Sequence, residues 1–317
     1  MGIFEGKVAI ITGGGKAKSI GYGIAIAYAK EGANLVLTGR NEQKLLDAQE
    51  ELERLYGIRV LPMRADVTPG DEAEAMVKKG YTVYELSRRE AGNPGMYHIP
   101  TDVTDPEACQ RAIDAVYSQA GRIDVMINNA GFGISGAIEF TPIEQAKRQL
   151  DVNFFGMVNM NHAVIPVMRK QGFGRIVNLS SVAGAIAIPF QAFYSASKAA
   201  INSYTMALAN EVKPFGVEVC CVQPGDIQTG FTAARQKIVI GDDIYSGRIS
   251  RSVAGMEKDE TTGMKPEQAG AFVCHVATRK GVRPVNTIGL SYKFFCVLQK
   301  LLPAKTLNWL VGVVYAR

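Results

Sequence analysis

The chain has 317 residues, of which 47% are hydrophobic, and this size suits one large α/β domain or such a domain with additions. Its formal net charge of +5 is spread along the chain, and no basic block with interleaved aromatic residues indicates nucleic-acid binding. The five cysteines and three histidines lack metal-site or disulfide spacing, and without a run of ~20 apolar residues we expect a soluble, cytoplasmic protein with no metal.

The first predicted element is a strand that leads into a glycine-rich turn. Residues 7–12 (KVAIIT) are nearly all apolar, as in a strand buried on both faces of a parallel sheet. Glycines are frequent in the next positions, and a helical pattern follows over residues 24–30. Such a turn lets the backbone approach a pyrophosphate, and the helix N-terminus supplies amide donors. The turn therefore predicts a dinucleotide site, for which the candidate residues are Gly13, Ser19, Ile20 and Gly21.

The next stretch contains the main irregularity of the chain. Residues 34–38 predict a second strand that ends in T-G-R, and residues 60–65 predict a third strand that ends in A-D-V-T. Two further strand-like runs follow, at 81–86 and 96–100, and they end in S-R-R and T-D-V-T-D. We interpret 80–105 as a partial duplication of the second-to-third-strand unit. The alternative is an ordinary insertion that resembles its neighbour.

Alternating helices and strands continue from this segment towards the C-terminus. In order, the predicted elements are helix 106–119, strand 124–127, helix 143–170, strand 175–179, a helix that ends at 211, strand 217–222, helix 266–278 and a last strand at 287–292. Residues 231–265 are polar and mixed, without a firm period. The alternation predicts one α/β domain over 1–290.

One stretch of the chain points to acid–base chemistry. Tyr194 and Lys198 are four residues apart in a segment that is helical by pattern, so both side chains leave the same face of the helix. An ammonium beside a phenol favours the phenolate, so we expect the pKa of Tyr194 to fall towards working pH. Such a tyrosine can give a proton to a carbonyl oxygen or take one from an alcohol. Ser181, just after the strand at 175–179, could hydrogen-bond the same oxygen.

The chain contains five motifs in order: the glycine turn T-G-x5-S-I-G-x-G, N-N-A-G at 128–131, N-L-S-S at 178–181, Y-S-A-S-K at 194–198 and P-G-x-x-x-T at 224–229. Together these motifs resemble those of the short-chain dehydrogenase/reductase family. The glycine turn is similar to the longer variant of enoyl carrier-protein reductases, and the C-terminal half resembles hydroxysteroid and lipid-ketone reductases. The resemblance implies a doubly wound parallel sheet of Rossmann type, with the cofactor across the carboxyl ends of its strands.

The resemblance also implies roles for individual residues. Tyr194 would be the proton donor or acceptor, Lys198 would lower its pKa and bind the nicotinamide ribose, and Ser181 would polarise the substrate oxygen. Asn153, in the helix 143–170, would hold a water that passes protons to Lys198. The implied cofactor contacts are Asn129, Ala130, Gly131, Pro224, Gly225, Ile227 and Thr229 near the ribose and nicotinamide, with either Asp66 and Val67 or Asp102 and Val103 at the adenine. The segment 231–265 would be a mobile flap over the substrate.

The cofactor that this resemblance favours is NADP(H). Family members that use NAD usually carry an acidic residue at the end of the second strand, whereas Gly39, Arg40 and Asn41 include none. The guanidinium of Arg40 could instead pair with a 2′-phosphate. NADPH would in turn favour ketone reduction in the cell.

Three functions compete on this sequence. The first is hydride transfer between NADP(H) and a carbonyl or secondary alcohol of an apolar small molecule, such as a steroid or lipid ketone. The second is reduction of a 3-oxoacyl carrier protein. The third is an inactive chimera that serves only as a binding or oligomeric scaffold. We expect a homodimer or homotetramer, as is usual in the family.

The C-terminal extension, residues 291–317, goes beyond the minimal family fold. Two apolar patches alternate with Lys293, Lys300, Lys305 and Arg317. Packing against its own domain is the default expectation for this tail. The competing uses are cover for an apolar substrate pocket, a dimer contact and peripheral contact with a membrane surface.

Overall fold

Seven parallel strands form the central sheet of the structure. The computed structural model describes residues 4, 7–12, 20–39, 42–64, 84–85, 97–98, 102–228 and 231–316. In spatial order the strands are β11 (Val285–Thr287), β9 (Val217–Gln223), β8 (Gly174–Leu179), β6 (Val125–Asn128), β1 (Val8–Thr12), β2 (Asn34–Gly39) and β3 (Val60–Arg64). Every neighbouring pair in the sheet is parallel.

Helices cover both faces of this sheet. In chain order they are α1 (Ile20–Lys30), α2 (Glu42–Tyr56), α3 (Pro106–Ala120), α4 (Ile143–Leu150), α5 (Gly156–Gln171), α6 (Ala192–Glu211), α7 (Phe231–Ala234), α8 (Arg248–Thr262), α9 (Pro266–Thr278), α10 (Leu290–Leu301) and α11 (Ala304–Tyr315). Adjacent residues of a strand point to opposite faces of the sheet because the strand is pleated, so they enter different hydrophobic cores. Ile127 packs with α1, α2 and α9, whereas Met126 packs with α3, α5 and α6. The predicted doubly wound parallel sheet is confirmed.

The strand order reverses between β1 and β6, and ligands of doubly wound sheets bind beyond the carboxyl ends of the strands at such a point. Helix α1 starts at this edge. It packs so closely on α9 that a Cβ atom on Gly270 would lie 1.8 Å from the carbonyl carbon of Gly23. Because a side chain at Gly270 would collide with that backbone, only glycine permits this helix contact.

Two short strands form a separate sheet near the β3 edge of the central sheet. The strands β4 (Tyr84–Glu85) and β5 (Tyr97–His98) pair in parallel as a two-stranded sheet of their own. The rest of the predicted duplication up to residue 101 lies outside the described residues. The duplication therefore stays a prediction, and the third-strand position of the central sheet is filled by β3.

Strand β3 lies at one edge of the central sheet and pairs with β2. The N–H of Leu35 donates to the carbonyl of Arg59 at 2.9 Å, whereas the N–H of Val60 turns away and donates to Oε1 of Glu53 at 2.9 Å. Alternate residues of a parallel strand bond to the same neighbour. Val60 and, two positions later, Pro62 therefore present their backbone to the outside of the sheet.

The segment 231–265 is more regular than its sequence indicates. It holds α7, the two-residue strand β10 (Gln236–Lys237) and the 15-residue helix α8, and β10 pairs with β7 (Ile134–Ser135). The buried positions of α8 include Ile249, Val253 and Met256, which have helical spacing. The prediction of no firm period was wrong because these few apolar positions are diluted by polar and charged neighbours.

The predicted last strand at 287–292 is also corrected. The strand is Val285–Thr287, and α10 begins at Leu290. Gly289 between them has a φ of 86°, in the left-handed region that glycine adopts without strain, and this conformation ends the extended segment. The apolar alternation of T-I-G-L-S-Y resembled a strand, although its second half is the first turn of a helix.

The C-terminal extension folds back on its own domain, as the default expectation had it. The ring of Tyr292 in α10 lies over Gly225, and the guanidinium Nε of Arg248 in α8 donates to the carbonyl of Ala316 at 2.6 Å. Ala316 also packs beside the small core of Ala137, Phe190 and Ile249. No helix within the described residues combines the length and apolar composition needed to cross a membrane.

Candidate active site

Tyr194, Lys198 and Ser181 meet beyond the carboxyl ends of β6, β8 and β9. Tyr194 and Lys198 lie on one face of α6, with the Lys198 Nζ 5.7 Å from the centroid of the Tyr194 ring. Ser181 follows β8 and begins a short 3-10 turn, Val182–Gly184. Its hydroxyl lies near enough to the Tyr194 phenol to lower the pKa of that phenol, accepts from the N–H of Ala183 at 3.1 Å and donates to the carbonyl of Pro224 at 3.5 Å. The three predicted side chains are therefore brought together.

A glycine makes this approach of turn and helix feasible. A Cβ atom on Gly184 would lie 2.6 Å from the carbonyl carbon of Lys198 and 2.7 Å from its oxygen. The turn that carries Ser181 thus rests directly on the backbone of α6. The Ser180 hydroxyl adds to this contact by donating to the Lys198 carbonyl at 2.9 Å.

The electrostatics of the pair differ from the sequence prediction. Burial raises the pKa of Tyr194 to about 12, against the lowering effects of the Ser181 hydrogen bond and of Arg235. Burial also lowers the pKa of Lys198 to about 8. The predicted fall in the pKa of Tyr194 is wrong for this structure. Desolvation outweighs the neighbouring cation, and the Lys198 Nζ donates to the carbonyl of Leu179 at 2.7 Å rather than to the phenol.

Asn153 lies in an irregular turn that divides the predicted helix 143–170. Residues Asp151–Phe155 form a π-helical turn between α4 and α5. The buried Asn153 amide accepts from the N–H of Phe132 at 2.9 Å and donates to its carbonyl at 3.0 Å and to the Ser197 hydroxyl at 3.2 Å. Asn153 thereby fastens the loop after β6 to α6, and the predicted water relay remains a prediction.

The candidate cofactor residues fall into two groups. Asn129, Ala130 and Gly131 follow β6, and Pro224, Gly225 and Ile227 follow β9, so both sets lie at the edge where Tyr194 and Lys198 meet. Ile20 and Gly21 are the first residues of α1. The residues that lie outside the described part of the chain are Gly13, Ser19, Arg40, Asp66, Val67 and Thr229.

Asp102 and Val103 belong to the turn before α3. The Oδ1 of Asp102 accepts from both the N–H and the hydroxyl of Thr104, at 2.9 Å and 2.7 Å. The side chain of Val103 packs against Gly156 of α5, where an added Cβ would lie 2.7 Å from it, and its carbonyl accepts from Asn159 at 2.8 Å. Both residues help to seat α3 against α5, and the choice between this pair and Asp66 with Val67 stays open.

A buried ion pair near Tyr194 was missed by the sequence reasoning. Arg235, with a fully buried side chain, pairs with Glu260 of α8, and the Thr232 hydroxyl donates to the same carboxylate at 2.6 Å. The guanidinium lies 5.5 Å from the centroid of the Phe231 ring, which is itself 5.5 Å from the ring of Tyr194. Its Nε and Nη1 have no hydrogen-bond partner among the described residues. Arg235, Glu260 and Phe231 come together only through the way in which segment 231–265 folds.

A second group at the site comes from the C-terminal extension. A Cβ atom on Gly225 would lie 2.2 Å from the Tyr292 ring, so the ring covers the backbone there. The Tyr292 hydroxyl donates to Oδ2 of Asp226 at 2.5 Å and accepts from its N–H at 3.1 Å. Burial raises the pKa of Asp226, and the Tyr292 hydrogen bond opposes that rise. Within the described residues no group of His, Cys, Asp or Glu could hold a metal ion.

Comparison with known proteins gives a family match and two similar characterised relatives. A sequence model described as short chain dehydrogenase matches residues 7–84 and 82–238, and the two matched segments meet inside the predicted duplication. The 3-ketodihydrosphingosine reductase of Bacteroides thetaiotaomicron is 40% identical over 248 residues, which cover 77% of this chain and 92% of the relative. The 12alpha-hydroxysteroid dehydrogenase of a Clostridium species is 45% identical over 231 residues, which cover 71% of this chain and 74% of the relative.

Solved structures match over almost the whole chain. A short-chain dehydrogenase from Streptomyces avermitilis has a TM-score of 0.70 at 25% identity, covering 96% of this chain and 95% of its own. An L-sorbose reductase from Gluconobacter frateurii, complexed with NADPH and L-sorbose, has a TM-score of 0.65 at 24% identity, with 91% and 96% covered. A relative from Burkholderia phymatum in complex with NAD has a TM-score of 0.72 at 21% identity, with 94% of each covered. The last two likenesses concern the fold and do not decide between the cofactors.

Proposed function

Because the chain belongs to the short-chain dehydrogenase/reductase family, we propose that it is an NADPH-dependent reductase of a long-chain or ring-shaped lipid ketone. The observation that carries the proposal is the meeting of Ser181, Tyr194 and Lys198 at the carboxyl edge of the sheet. The oxidoreductase class follows from the family. The preference for NADPH as cofactor and for an apolar ketone as substrate is part of the proposal.

The residues at this edge fit a nicotinamide dinucleotide. A Cβ atom on Gly131 would lie 3.2 Å from Oδ1 of Asn153 and 3.7 Å from Nζ of Lys198, so the bare glycine leaves the strand end open beside an ammonium. That ammonium makes one hydrogen bond, to Leu179, among the described residues, and so has donors left for ribose hydroxyls. When bound, the cofactor supplies the hydride. The preference for NADPH rests on Arg40 and the missing acid after β2.

Tyr194 is protonated at neutral pH, as a proton donor to a carbonyl oxygen must be. With a pKa of about 12, Tyr194 carries its proton at neutral pH and can donate it to a carbonyl oxygen. As the carbonyl carbon receives a hydride, the oxygen takes this proton, and a secondary alcohol results. Ser181 lies beside the phenol, and its hydroxyl can donate to the same substrate oxygen by leaving its long 3.5 Å contact with the carbonyl of Pro224. Lys198 lies beside the phenol and favours its charged form once the proton has left.

The neighbourhood of Tyr194 supports an apolar substrate. Phe231 stacks at a tilt on one side of the phenol, and the Tyr292 ring covers Gly225 on the nearby strand end. Aromatic rings of this kind can pack against a lipid chain or a fused ring system. The names of the two similar relatives, a sphingosine-type and a steroid enzyme, agree with this class of substrate.

Of the two candidate substrate classes, the charges near Tyr194 favour an amino ketone of the sphingosine type over a steroid ketone. A 3-ketodihydrosphingosine carries a positive amino group on the carbon next to its carbonyl. The carboxylates that act on the Tyr194 phenol are Glu260 and Asp226, and Glu260 is already paired with Arg235. The side-chain hydrogen bond of Asp226 goes to a neutral partner, Tyr292, and Asp226 forms no ion pair with a cation of the described residues. A steroid ketone offers no such cation.

The test is NADPH consumption with three ketones: 3-ketodihydrosphingosine, a 12-oxo bile acid and L-sorbose as a small polar control. We expect turnover with the first, loss of turnover in Tyr194→Phe, and a rise in KM for the amino ketone alone in Asp226→Asn. Retained turnover in Tyr194→Phe would refute the mechanism. Activity on L-sorbose alone would refute the lipid ketone. If neither NADPH nor NADH raised the melting temperature, the inactive scaffold would replace the reductase.

A further inference from the structure

The outer side of α10 is a line of exposed apolar residues. Leu290, Phe294, Val297 and Leu301 are 85%, 63%, 55% and 74% exposed. Their spacing of four, three and four residues places them along one stripe of the helix. No residue of α10 is fully buried, although Tyr292 on another face contacts the strand end at Gly225. The most apolar stripe of the helix therefore faces outward, beside exposed lysines, whereas the apolar stripe of an ordinary surface helix faces the core.

Helix α11 also has exposed apolar residues, and its end lies near the segment 231–265. Trp309 and Val314 of α11 are exposed. The end of α11 lies beside Tyr245, because Ala316 and Tyr245 pack on the same small core, and Ile244 next to Tyr245 is exposed as well. We call six of the exposed apolar residues of the two helices the tail surface: Leu290, Phe294, Val297, Leu301, Trp309 and Val314. An exposed apolar patch larger than that of an ordinary monomer marks a site of contact with another phase or molecule.

Within the C-terminal extension all charged side chains are basic. Residues 291–317 contain four basic and no acidic side chains. Lys293, Lys300 and Lys305 are exposed, and none of them forms an ion pair with a carboxylate of the described residues. A two-fold contact between identical copies would bring these lysines towards one another. An anionic surface would instead attract all of them.

We propose that the tail surface docks the protein on an anionic lipid bilayer. Each of the two helices has 12 residues, about 18 Å, which suits a helix lying along the interface with its apolar stripe among the acyl chains. The lysines then contact the headgroups. Because α10 also contacts the active-site edge through Tyr292, a lipid ketone can pass from the bilayer to Tyr194 beside this helix.

The apolar part of the proposal is tested by flotation of the full chain with vesicles of phosphatidylcholine and phosphatidylglycerol. We expect the wild-type chain to float and Leu290→Gln with Leu301→Gln to bind at least about tenfold more weakly, because two buried leucines are lost from the interface. The matched control is Leu55→Gln with Ile143→Gln, which removes exposed aliphatic residues elsewhere and should float like the wild type. Circular dichroism and melting temperatures establish that each variant is folded.

The charged part is tested with Lys300→Gln and Lys305→Gln, for which we expect about fivefold weaker binding per lysine on anionic vesicles and no change on pure phosphatidylcholine. Lys170→Gln with Lys213→Gln, exposed lysines on other elements, is the control. The proposal is overturned if the wild type stays in the aqueous fraction, or if the stripe variant floats like its control. It is also overturned if the wild type is a dimer that the stripe variant converts to monomer without vesicle binding. Tyr194→Phe should float normally, so this outcome is independent of the proposed reductase activity.

Discussion

Replacing Lys198 by methionine should stabilise the folded protein while abolishing its activity. Lys198 is buried, and burial lowers its pKa from 10.5 to about 8. The gap corresponds to about 3 kcal/mol of destabilisation wherever the folded lysine is charged. Methionine has a similar length and no charge, but it leaves the Leu179 carbonyl without its hydrogen bond, at a cost of about 1 kcal/mol. We expect Lys198→Met to be about 2 kcal/mol more stable at pH 7.

The stability difference between the wild type and Lys198→Met should change with pH in one direction. A lysine with a lowered folded pKa loses its proton in the folded state first, so the unfolded chain binds more protons between about pH 8 and 10.5. The wild type therefore gains stability relative to the variant as the pH rises through this window. Contributions of other groups that titrate there cancel in the difference.

The assay is urea unfolding of both proteins at pH 7 and at pH 10, with NADPH oxidation as the measure of activity. The difference in unfolding free energy should be largest at pH 7 and should shrink or reverse at pH 10. A variant that is less stable than the wild type at pH 7 would refute the reasoning. So would a difference that does not change with pH, because the lysine would then not be carrying a desolvated charge.

Three further substitutions test individual contacts. Gly184→Ala should lower the free energy of unfolding by about 1–3 kcal/mol and reduce kcat, because the added Cβ would collide with the backbone of α6. The control is Gly255→Ala, whose Cβ meets nothing within 4 Å and which should be neutral or slightly stabilising. Arg235→Met should lower the unfolding free energy by about 3–5 kcal/mol because it leaves Glu260 buried and unpaired, and adding Glu260→Gln should recover much of it. Tyr292→Phe should cost about 1 kcal/mol in urea unfolding, since a hydrogen bond to a partly exposed carboxylate is lost, and an unchanged midpoint would contradict the observed contact.

The fold and the meeting of Tyr194, Lys198 and Ser181 could be predicted because each depends on local pattern. A strand such as β6 is buried on both faces and reads as a continuous apolar run. The spacing of Tyr194 and Lys198 fixes their common face on a helix whatever packs around it. The position of Ser181 follows from the end of β8, since all parallel strands of the sheet end at the same edge.

The direction of the pKa of Tyr194 could not be predicted from sequence. Neighbouring positions on a helix indicate that an ammonium is near, but they do not give the depth of burial or the acceptor that the ammonium chooses. In the structure desolvation is the largest effect on the phenol, and Lys198 donates to Leu179. Both depend on how β8 and α6 pack.

The contributions of Arg235, Glu260 and Tyr292 to the site could not be predicted from sequence for a related reason. Arg235 and Glu260 are 25 residues apart, in a segment whose helix has few buried positions. Tyr292 was assigned to a strand that ends, in the structure, at Thr287. Pairing across such distances is decided by tertiary packing, which local periodicity does not report.

The outward-facing backbone of β3 has a consequence for growth of the sheet. An edge strand normally offers a row of N–H donors on which another strand, from the same chain or from a neighbour, can be added. Here the N–H of Val60 is already bonded to Glu53, and Pro62 has no N–H at all. Two successive outward positions are therefore closed to an incoming strand. The edge therefore offers fewer donors to an incoming strand and resists polymerisation through β-strand addition.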